Sequence, residues 1–280
     1  MARTPLARPP LSHPSSPVRE ALMLQLSPDH LPALTRWFPA GGPGPATVAE
    51  HVLATGVGSW WADRAVQPRV VAASCAGHVV LRGSPDELTP EGLAPLAGNR
   101  IDAPGRFLPA LGAAFERLTP WERMVWTRQA EPQPATVPLG FVLRRLEAAD
   151  TDAVQALGSD AAWISASWGG PLGLAASGHG WAVFSRKGRV LAVACTYLRG
   201  SRYEDVAVFT VPDHRRHRLA LACVNALCED IVARGRVPSW NCSVLNRASR
   251  LLAWYAGFRL VREYVHYAVG SPVSHDRLSA

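Results

Sequence analysis

The amino-acid sequence predicts an α/β (α+β) protein in which flanking helices pack against a mixed, mostly antiparallel sheet. Three observations in the second half of the chain predict this class. Apolar runs of strand length alternate with helical periods, two of the runs flank Arg186-Lys187-Gly188 as in a hairpin, and one strand leads through a basic turn into a helix. The predicted order of elements there is β-α-β-β-β-α-β-α-β.

The patterns in the first half are shorter. A capped helix is predicted over residues 27–38, and a second helix over residues 46–55 ends at Gly56. Short strands are expected on both sides of Cys75-Ala76-Gly77, and another strand is expected over residues 122–129.

The second half begins with a predicted strand from Phe141, followed by a turn that Asp150, Thr151 or Asp152 caps and by a helix. The elements after that helix are a hairpin, a strand, a helix, a strand, a helix and a closing strand. They are predicted over residues 180–200, 203–211, 218–235, 239–244, 246–257 and 258–269.

Composition divides the chain into five segments. The start is rich in Pro, Ser and Arg, which is typical of a disordered tail, and the proline-rich stretch AEPQPATVPLG is the best linker candidate. The prediction is a tail over 1–19, an N-terminal domain over 20–130, a linker over 131–139, a C-terminal domain over 140–270 and a tail over 271–280.

Charge and cysteine content narrow the class of protein. A net charge of +7 favours anionic partners, but the arginines are scattered and form no stripe with aromatic residues, so nucleic acid is not expected as a partner. The five cysteines lack a C-x-x-C pair, which predicts buried thiols in a reducing compartment and no metal site. No signal peptide and no membrane-spanning run are recognised, which predicts a soluble cytoplasmic protein.

The stretch TVPDHRRHRLALA, residues 210–222, places Arg215, Arg216, His217 and Arg218 at the start of a predicted helix. A helix N-terminus has unpaired N–H groups and partial positive charge, so cations there are unfavourable for the helix itself. A bound anion would offset that cost. On these residues alone, a phosphate-binding turn and a solvated basic turn both remain open.

Two blocks of the chain resemble the GNAT superfamily of N-acetyltransferases, and a looser resemblance covers about residues 141–269. The first block is a strand ending at Val211-Pro212, followed by the R/Q-x-x-G-x-G/A acetyl-CoA signature. At the three signature positions the chain has Arg215, Arg218 and Ala220. The second block is Asn246 followed by Gly257-Phe258. The first half resembles the smaller, degenerate GNAT-like domain of bacterial two-part members.

This resemblance implies an acetyl-CoA-dependent N-acyltransferase that moves an acetyl group to a small-molecule or peptide amine by direct attack in a ternary complex. The N-terminal half would then shape the acceptor cleft or mediate a homodimer. Backbone groups of three strand residues would pair with the pantetheine arm, and the turn would hold the pyrophosphate. The implied cofactor-binding residues are Val208, Phe209, Thr210, Arg215, Arg216, His217, Arg218, Leu219, Ala220, Leu221 and Asn246.

Two departures from the family pattern bear on activity. Arg218 replaces the first signature glycine, which predicts weaker cofactor binding. It would donate its N–H to the pyrophosphate if its φ were negative and its side chain turned outward, or its side chain would fill the phosphate site. Many relatives have a tyrosine seven residues after the asparagine as the acid for the thiolate, and this chain has Ala253 there. Tyr255, two residues on, is expected to pack. An alternative function is therefore a non-catalytic acyl-CoA-binding or interaction module with a GNAT fold.

Glu204 and Asp205 are the candidates for the general base. Adjacent strand residues face opposite sides, so at most one faces the site. Asp205 lies where the closer relatives keep an acid, which favours it, although both are open to a structural role as solvated carboxylates.

Several aromatic residues lie near the expected acceptor site. The segment AWISASWGG, residues 162–170, would line that site or pack its Trp163 and Trp168 in the core. The closing strand, with Tyr264 and His266, is expected to contribute to the core.

Overall fold

The computed structural model describes residues 22–27 and 35–273. Its strands are β1 (Leu24–Leu26), β2 (Ser59–Ala62), β3 (Val70–Cys75), β4 (His78–Gly83), β5 (Arg100–Asp102), β6 (Leu118–Arg128), β7 (Phe141–Arg145), β8 (Gly180–Ser185), β9 (Val190–Arg199), β10 (Tyr203–Thr210), β11 (Val237–Ser243) and β12 (Phe258–Val269). The α-helices are α1 (Ala46–Thr55), α2 (Leu108–Ala114), α3 (Thr151–Gln155), α4 (Pro171–Ala176), α5 (Leu219–Ala233) and α6 (Arg247–Tyr255).

The strands form one sheet of 12 strands in the order β1-β2-β3-β4-β5-β12-β6-β11-β10-β9-β8-β7. The pairs β4–β5 and β10–β11 are parallel, and the other neighbouring pairs are antiparallel. The predicted class, a mixed and mostly antiparallel sheet with flanking helices, is confirmed.

The sheet has two equivalent halves that exchange their last strands. Strands β1 to β5 and strands β7 to β11 repeat the same sequence of antiparallel and parallel pairings. Strand β6 follows β5 in the chain but pairs with β11, and β12 follows β11 but pairs with β5. The exchanged strands pair with each other from Leu118 and Val269 to Arg128 and Phe258. Each half therefore lends one strand to the sheet of the other half.

This arrangement bears on the predicted division into domains. Strand β6 lies in the predicted N-terminal range but pairs on both sides with strands of the C-terminal range. The predicted linker, 131–139, has no regular secondary structure, and Gln133 joins it to the backbone of Tyr255 and the side chain of Asn225. The division into two domains stays a prediction, with β6 and β12 as the strands that both halves share.

Most predicted elements occur in the described part of the chain. Gly56, Gly235 and Gly257 follow their helices with φ between 71° and 85°, the left-handed conformation that glycine adopts at low cost. The predicted helix at 27–38 lies largely outside the described residues, and its last part is a single 3-10 turn, Thr35–Trp37. The predicted tails lie outside as well, except that Pro272 forms a β-bridge with Phe115.

Apolar side chains cover both faces of the sheet. One face packs against α5 and α6, and the other packs against α1, α4 and the 3-10 segment Ser159–Trp168. The five cysteines are buried, and none forms a disulfide bond. Among the described residues, no helix is long and apolar enough to cross a membrane.

Candidate active site

The parallel pair β10–β11 separates at its far end. The two strands pair from Tyr203 and Val237 to Val206 and Trp240. Beyond that point β10 continues to Thr210 beside β9, and β11 continues to Ser243 beside β6. The backbone edge of residues 207–210 that faces β11 therefore pairs with no described strand. An extended group can add to such an edge as a further strand would.

The start of α5 points its amides outward beyond this opening. Arg216 and Arg218 have φ of 66° and 58°, so the chain turns through the left-handed region before the helix begins. The first helical hydrogen bond runs from the N–H of Ala222 to the carbonyl of Arg218. The N–H groups of the three preceding residues, Leu219, Ala220 and Leu221, thus have no helical partner and can bind an anion.

The side chains of the basic turn take separate directions. Arg215 lines the cleft, and its Nε donates to the carbonyl of Thr210 at 3.4 Å. Arg216 and His217 are exposed. Arg218 donates to Oε1 of Gln133 at 2.7 Å, so its guanidinium lies on the linker, outside the cleft wall. The positive φ of Arg218 differs from the negative φ that the sequence reasoning required, because the arginine keeps the backbone conformation of the glycine that it replaces.

Asn246 begins α6 as its N-cap. Its Oδ1 accepts from the N–H of Ser249 at 3.0 Å, and the residue lines the cleft. Ala253 is completely buried under α6, and Tyr255 is 40% exposed rather than packed. Neither belongs to the cleft wall, so α6 offers no tyrosine to the site.

The neighbouring carboxylates of β10 have opposite surroundings. Glu204 is fully buried and accepts from Arg234 at 2.7 Å, from Arg236 at 2.9 Å and from Thr196 at 2.6 Å. Burial raises the pKa of Glu204, but these bonds and nearby His179 outweigh it and hold the pKa below its usual range. Glu204 is not part of the cleft wall, and its carboxylate is occupied by ion pairs.

Asp205 faces the other side of the sheet and lines the cleft. It is 6% exposed, and its Oδ1 accepts from Nδ2 of Asn241 on β11 at 2.7 Å. Burial raises its pKa to about 7, although Asn241 and the charge of Arg123 oppose the rise. A carboxyl group that titrates near neutral pH is well suited to accept a proton.

A chain of hydrogen bonds continues from Asp205 across four adjacent strands. The Oδ1 of Asn241 accepts from the hydroxyl of Tyr264 at 3.2 Å, and the hydroxyl of Tyr264 accepts from Nε of Arg123 at 3.2 Å. Because Asp205 is an acceptor only when ionised, the bond to it fixes which way the amide of Asn241 points. Tyr264 and His266, expected in the core, are in fact part of the cleft wall.

The cleft has a volume of about 770 Å³, within the usual range of ligand sites. Its aromatic and basic lining comes from both halves of the chain, and the part on β4, β5, β6 and β12 forms the far wall, across the sheet from β10. Residues of this far wall are His78, Arg100, Trp121, Arg123, Tyr264 and His266, and Trp163 and Tyr197 line the cleft nearer to β10. Tyr197 is the extra residue of a β-bulge opposite Asp205 and Val206.

Elements of the N-terminal half also cover the site. Gly44 has φ of 96°, and a Cβ there would lie 2.9 Å from Val125 and 3.7 Å from Asn241. The chain before α1 thus rests directly on the side chains of the hydrogen-bond chain that starts at Asp205.

The two tryptophans of the segment 162–170 have different surroundings. Trp163 is 46% exposed and lines the cleft, whereas Trp168 donates to the carbonyl of Thr196 and stacks on His179.

Sequence reasoning missed Arg123 and Asn241. Asn241 lies two residues after Ser239, which pairs with Asp205, so alternation along β11 could have placed it on the same face. No comparable signal existed for Arg123, because it reaches the site only through the insertion of β6 beside β11.

Comparison with known proteins agrees with this geometry. The family model described as GNAT acetyltransferase matches residues 120–267. A protein of Streptomyces virginiae, described as an uncharacterized N-acetyltransferase in the mutA 5' region, is 59% identical over 212 residues, which are 76% of this chain and 90% of that protein.

Solved structures show the same fold. A GCN5-related N-acetyltransferase-like protein from Streptococcus suis 89/1591 has a TM-score of 0.65 at 18% identity, over 86% of this chain and 98% of that one. A tandem GNAT protein from the clavulanic acid biosynthesis pathway has a TM-score of 0.55 at 14% identity, over 90% of this chain and 99% of that one.

The fold and the opening beside α5 thus define an acyltransferase of the N-acetyltransferase class. The chain belongs to the GNAT acetyltransferase family.

Proposed function

We propose that this enzyme uses acetyl-CoA as its donor, that an amine attacks the thioester directly in a ternary complex, and that Asp205 is the general base. The observation that carries the proposal is the position of Asp205, a buried carboxyl group with a raised pKa beside the point where β10 and β11 separate.

The residues present suit acetyl-CoA. The free edge of β10 at Val208, Phe209 and Thr210 offers backbone groups to the pantetheine arm. The unpaired amides at the start of α5 suit a pyrophosphate, and Arg215 adds a charged donor beside them. Asn246 uses its oxygen as the cap and has its amide nitrogen free to bond the cofactor.

Acetyl-CoA would supply the acetyl thioester: transfer would form a new N–C bond, break the C–S bond and release the CoA thiolate, which would take up a proton from solvent. Asp205 takes the proton that the amine gives up. Asn241 holds the carboxylate through one oxygen, and Tyr264 and Arg123 hold Asn241 in turn. The second carboxylate oxygen of Asp205 is thereby directed to the substrate.

The N-terminal half closes the acceptor side of the site in this proposal. It supplies the cover at Gly44 and the wall residues His78, Arg100 and Trp121. Residues 20–130 then act as a degenerate GNAT-like domain that shapes the acceptor cleft.

The test compares two isosteric variants of neighbouring residues. Asp205→Asn should lower kcat by about 10²- to 10⁴-fold, because a general base typically contributes that much. Its KM for acetyl-CoA should stay the same. Glu204→Gln should instead lower the free energy of unfolding by about 3 kcal/mol, since it breaks a buried ion pair, and should leave kcat per folded molecule intact.

Calorimetry with acetyl-CoA and thiol release with a panel of amines are the measurements, and Glu229→Gln, an exposed carboxylate on α5, is the control. Full turnover by Asp205→Asn would refute the assignment of the base. Binding of acetyl-CoA without turnover of any amine would favour the non-catalytic module. An absence of binding at millimolar acetyl-CoA would refute the proposal that acetyl-CoA is the donor.

A further inference from the structure

Two arginines meet on one aromatic ring in the far wall of the cleft. The Cζ of Arg123 lies 4.1 Å from the ring centre of Trp121, and the Cζ of Arg100 lies 4.9 Å from it. Arg100 pairs opposite Ala268 and Trp121 pairs opposite His266, so all of them lie on the face of the sheet that Asp205 also occupies. The wall thus concentrates two positive charges across the sheet from the base.

In the described part of the chain neither guanidinium contacts a carboxylate, although the charge of Arg123 acts on Asp205 from beyond contact distance. Other arginines of the sheet do: Arg82 pairs with Asp102, and Arg144 pairs with Asp150. Within the part of the chain that the structure describes, neither Arg100 nor Arg123 forms an ion pair. Arg123 is only 8% exposed, and among the described residues its side chain forms one hydrogen bond, from Nε to Tyr264. A buried guanidinium without an anion is unfavourable, so the wall is incomplete without one.

His266 is a second, independent sign of a missing partner. It is 3% exposed and lines the cleft, and neither of its ring nitrogens has a hydrogen-bond partner among the described residues. Burial and the positive groups around it lower its pKa, so the ring is neutral at neutral pH and keeps one N–H to donate. Buried polar groups normally have a hydrogen-bond partner, so we expect a ligand to accept the hydrogen bond that His266 can donate.

We infer that the acceptor amine carries an anionic group, a carboxylate or a phosphate, which binds Arg100, Arg123 and His266 while its amine lies beside Asp205. The inference rests on the proposed acetyl transfer and extends it to the class of acceptor. The phosphates of the cofactor have their own donors at α5 and Arg215, so this wall belongs to the acceptor. A guanidinium pairs well with either oxyanion.

Matched amine pairs that differ only in the anion test the inference. The carboxylate pairs are phenylalanine with phenethylamine, tryptophan with tryptamine, and lysine with cadaverine; the phosphate pair is phosphoethanolamine with ethanolamine. In at least one pair the anionic member should have the higher kcat/KM by about tenfold or more, since a charge-assisted hydrogen bond contributes that much. The pair in which the enzyme prefers the anionic member shows whether a carboxylate or a phosphate binds.

Variants then locate the effect. In Arg100→Gln and Arg123→Gln the preference for the anionic member should fall towards one, chiefly through its KM. Arg100 is exposed, so Arg100→Gln tests the inference even if Arg123→Gln does not fold. Arg259→Gln is the control, because the Cζ of Arg259 lies 3.9 Å from the ring centre of Trp254, outside the cleft. This variant should prefer the anionic amine as strongly as the parent enzyme does.

Calorimetry of the same amines with the CoA-loaded enzyme keeps the two proposals separable. Turnover of the neutral and anionic members at equal efficiency overturns the anion site and leaves acetyl transfer intact. Without turnover, anionic amines that bind parent but not Arg100→Gln support the anion site, although acetyl transfer has failed. If no anionic amine binds better than its neutral partner, the inference is wrong.

Discussion

The two halves of the sheet each contain one parallel pair of strands, but they connect those strands differently. Between β10 and β11 the chain forms α5, a helix of 15 residues whose first amides are free. Between β4 and β5 it forms only the 3-10 turns Pro85–Glu87 and Glu91–Leu96. The first connection provides the free amides of the proposed phosphate site, and the second lacks the helix that such a site needs.

Proline explains much of this difference. The connection in the N-terminal half contains Pro85, Pro90 and Pro95, and a proline inside a helix removes a hydrogen bond and clashes with the preceding turn. The connection in the C-terminal half has its only proline at Pro212, before the helix begins. One half therefore has the helix of the proposed cofactor site, while the other half supplies wall and cover to the proposed acceptor side.

Matched leucine substitutions in the two connections should have the largest effects. Leu219 and Leu93 are both almost fully buried, so Leu219→Ala and Leu93→Ala should each lower the free energy of unfolding by about 2–5 kcal/mol. Only Leu219→Ala should raise KM for acetyl-CoA, because it loosens the start of α5. Denaturant unfolding and initial rates measure the two effects. An equal rise in KM for both variants would remove the distinction between the halves.

The pH dependence should be set by the C-terminal half alone. Asp205 must be ionised to accept a proton and its pKa is raised to about 7, so kcat/KM should fall about tenfold per pH unit below that value and level off above it. The wall histidine His78 has its pKa lowered to about 3 by burial and by nearby arginines, so it should add no step near neutrality. A rate profile from pH 5 to pH 9 checks this, and a flat profile would contradict it.

The same carboxyl group should make stability depend on pH. In the folded state its pKa is raised above the unfolded value, so the stability that it contributes is present below about pH 4 and is lost as the pH rises to about 7. The melting temperature of Asp205→Asn should therefore exceed that of the parent by more at pH 8 than at pH 5. An equal difference at both pH values would argue against a raised pKa.

Two substitutions of Asn246 should separate its cap from its contact with the cofactor. Asn246→Ala should cost about 1 kcal/mol of stability, because the bond to the N–H of Ser249 is lost, whereas Asn246→Asp keeps an acceptor at the N-cap. Both variants lack the amide N–H₂ and should raise KM for acetyl-CoA. A normal KM for Asn246→Asp would restrict the residue to a structural role.

Arg218→Gly should have the smallest effect. The left-handed conformation of Arg218 favours glycine, which offsets the loss of the bond to Gln133, so the free energy of unfolding should change by less than about 1 kcal/mol. KM for acetyl-CoA should change less than about twofold, since the backbone already has the shape that the signature glycine gives. A large gain in affinity for acetyl-CoA would show that Arg218 does impair phosphate binding at the start of α5.

The sequence was informative where the site is built from neighbouring residues. The basic turn at 215–221 and the helix that starts at Asn246 follow from local patterns, and the fold class was confirmed. Strand alternation limits the site to one of Glu204 and Asp205, and the preference for Asp205 rests on the family resemblance. Arg123 and Tyr264 lie 141 residues apart and meet because β6 and β12 exchange places. Local propensity carries no information about such a pairing, and the acceptor wall was missed for the same reason.

The strand exchange also constrains how the chain can fold during synthesis. When β6 leaves the ribosome, neither of its sheet neighbours, β11 and β12, has been made. The edge of β5 stays open until β12, the last strand of the described chain, is complete, and an open edge can pair with other chains. Closure of the sheet is therefore a late, long-range step that should make folding slow and dependent on protection of that edge. Once closed, the two halves are interlocked, and a protease cut within 131–139 would nick the backbone without releasing either half.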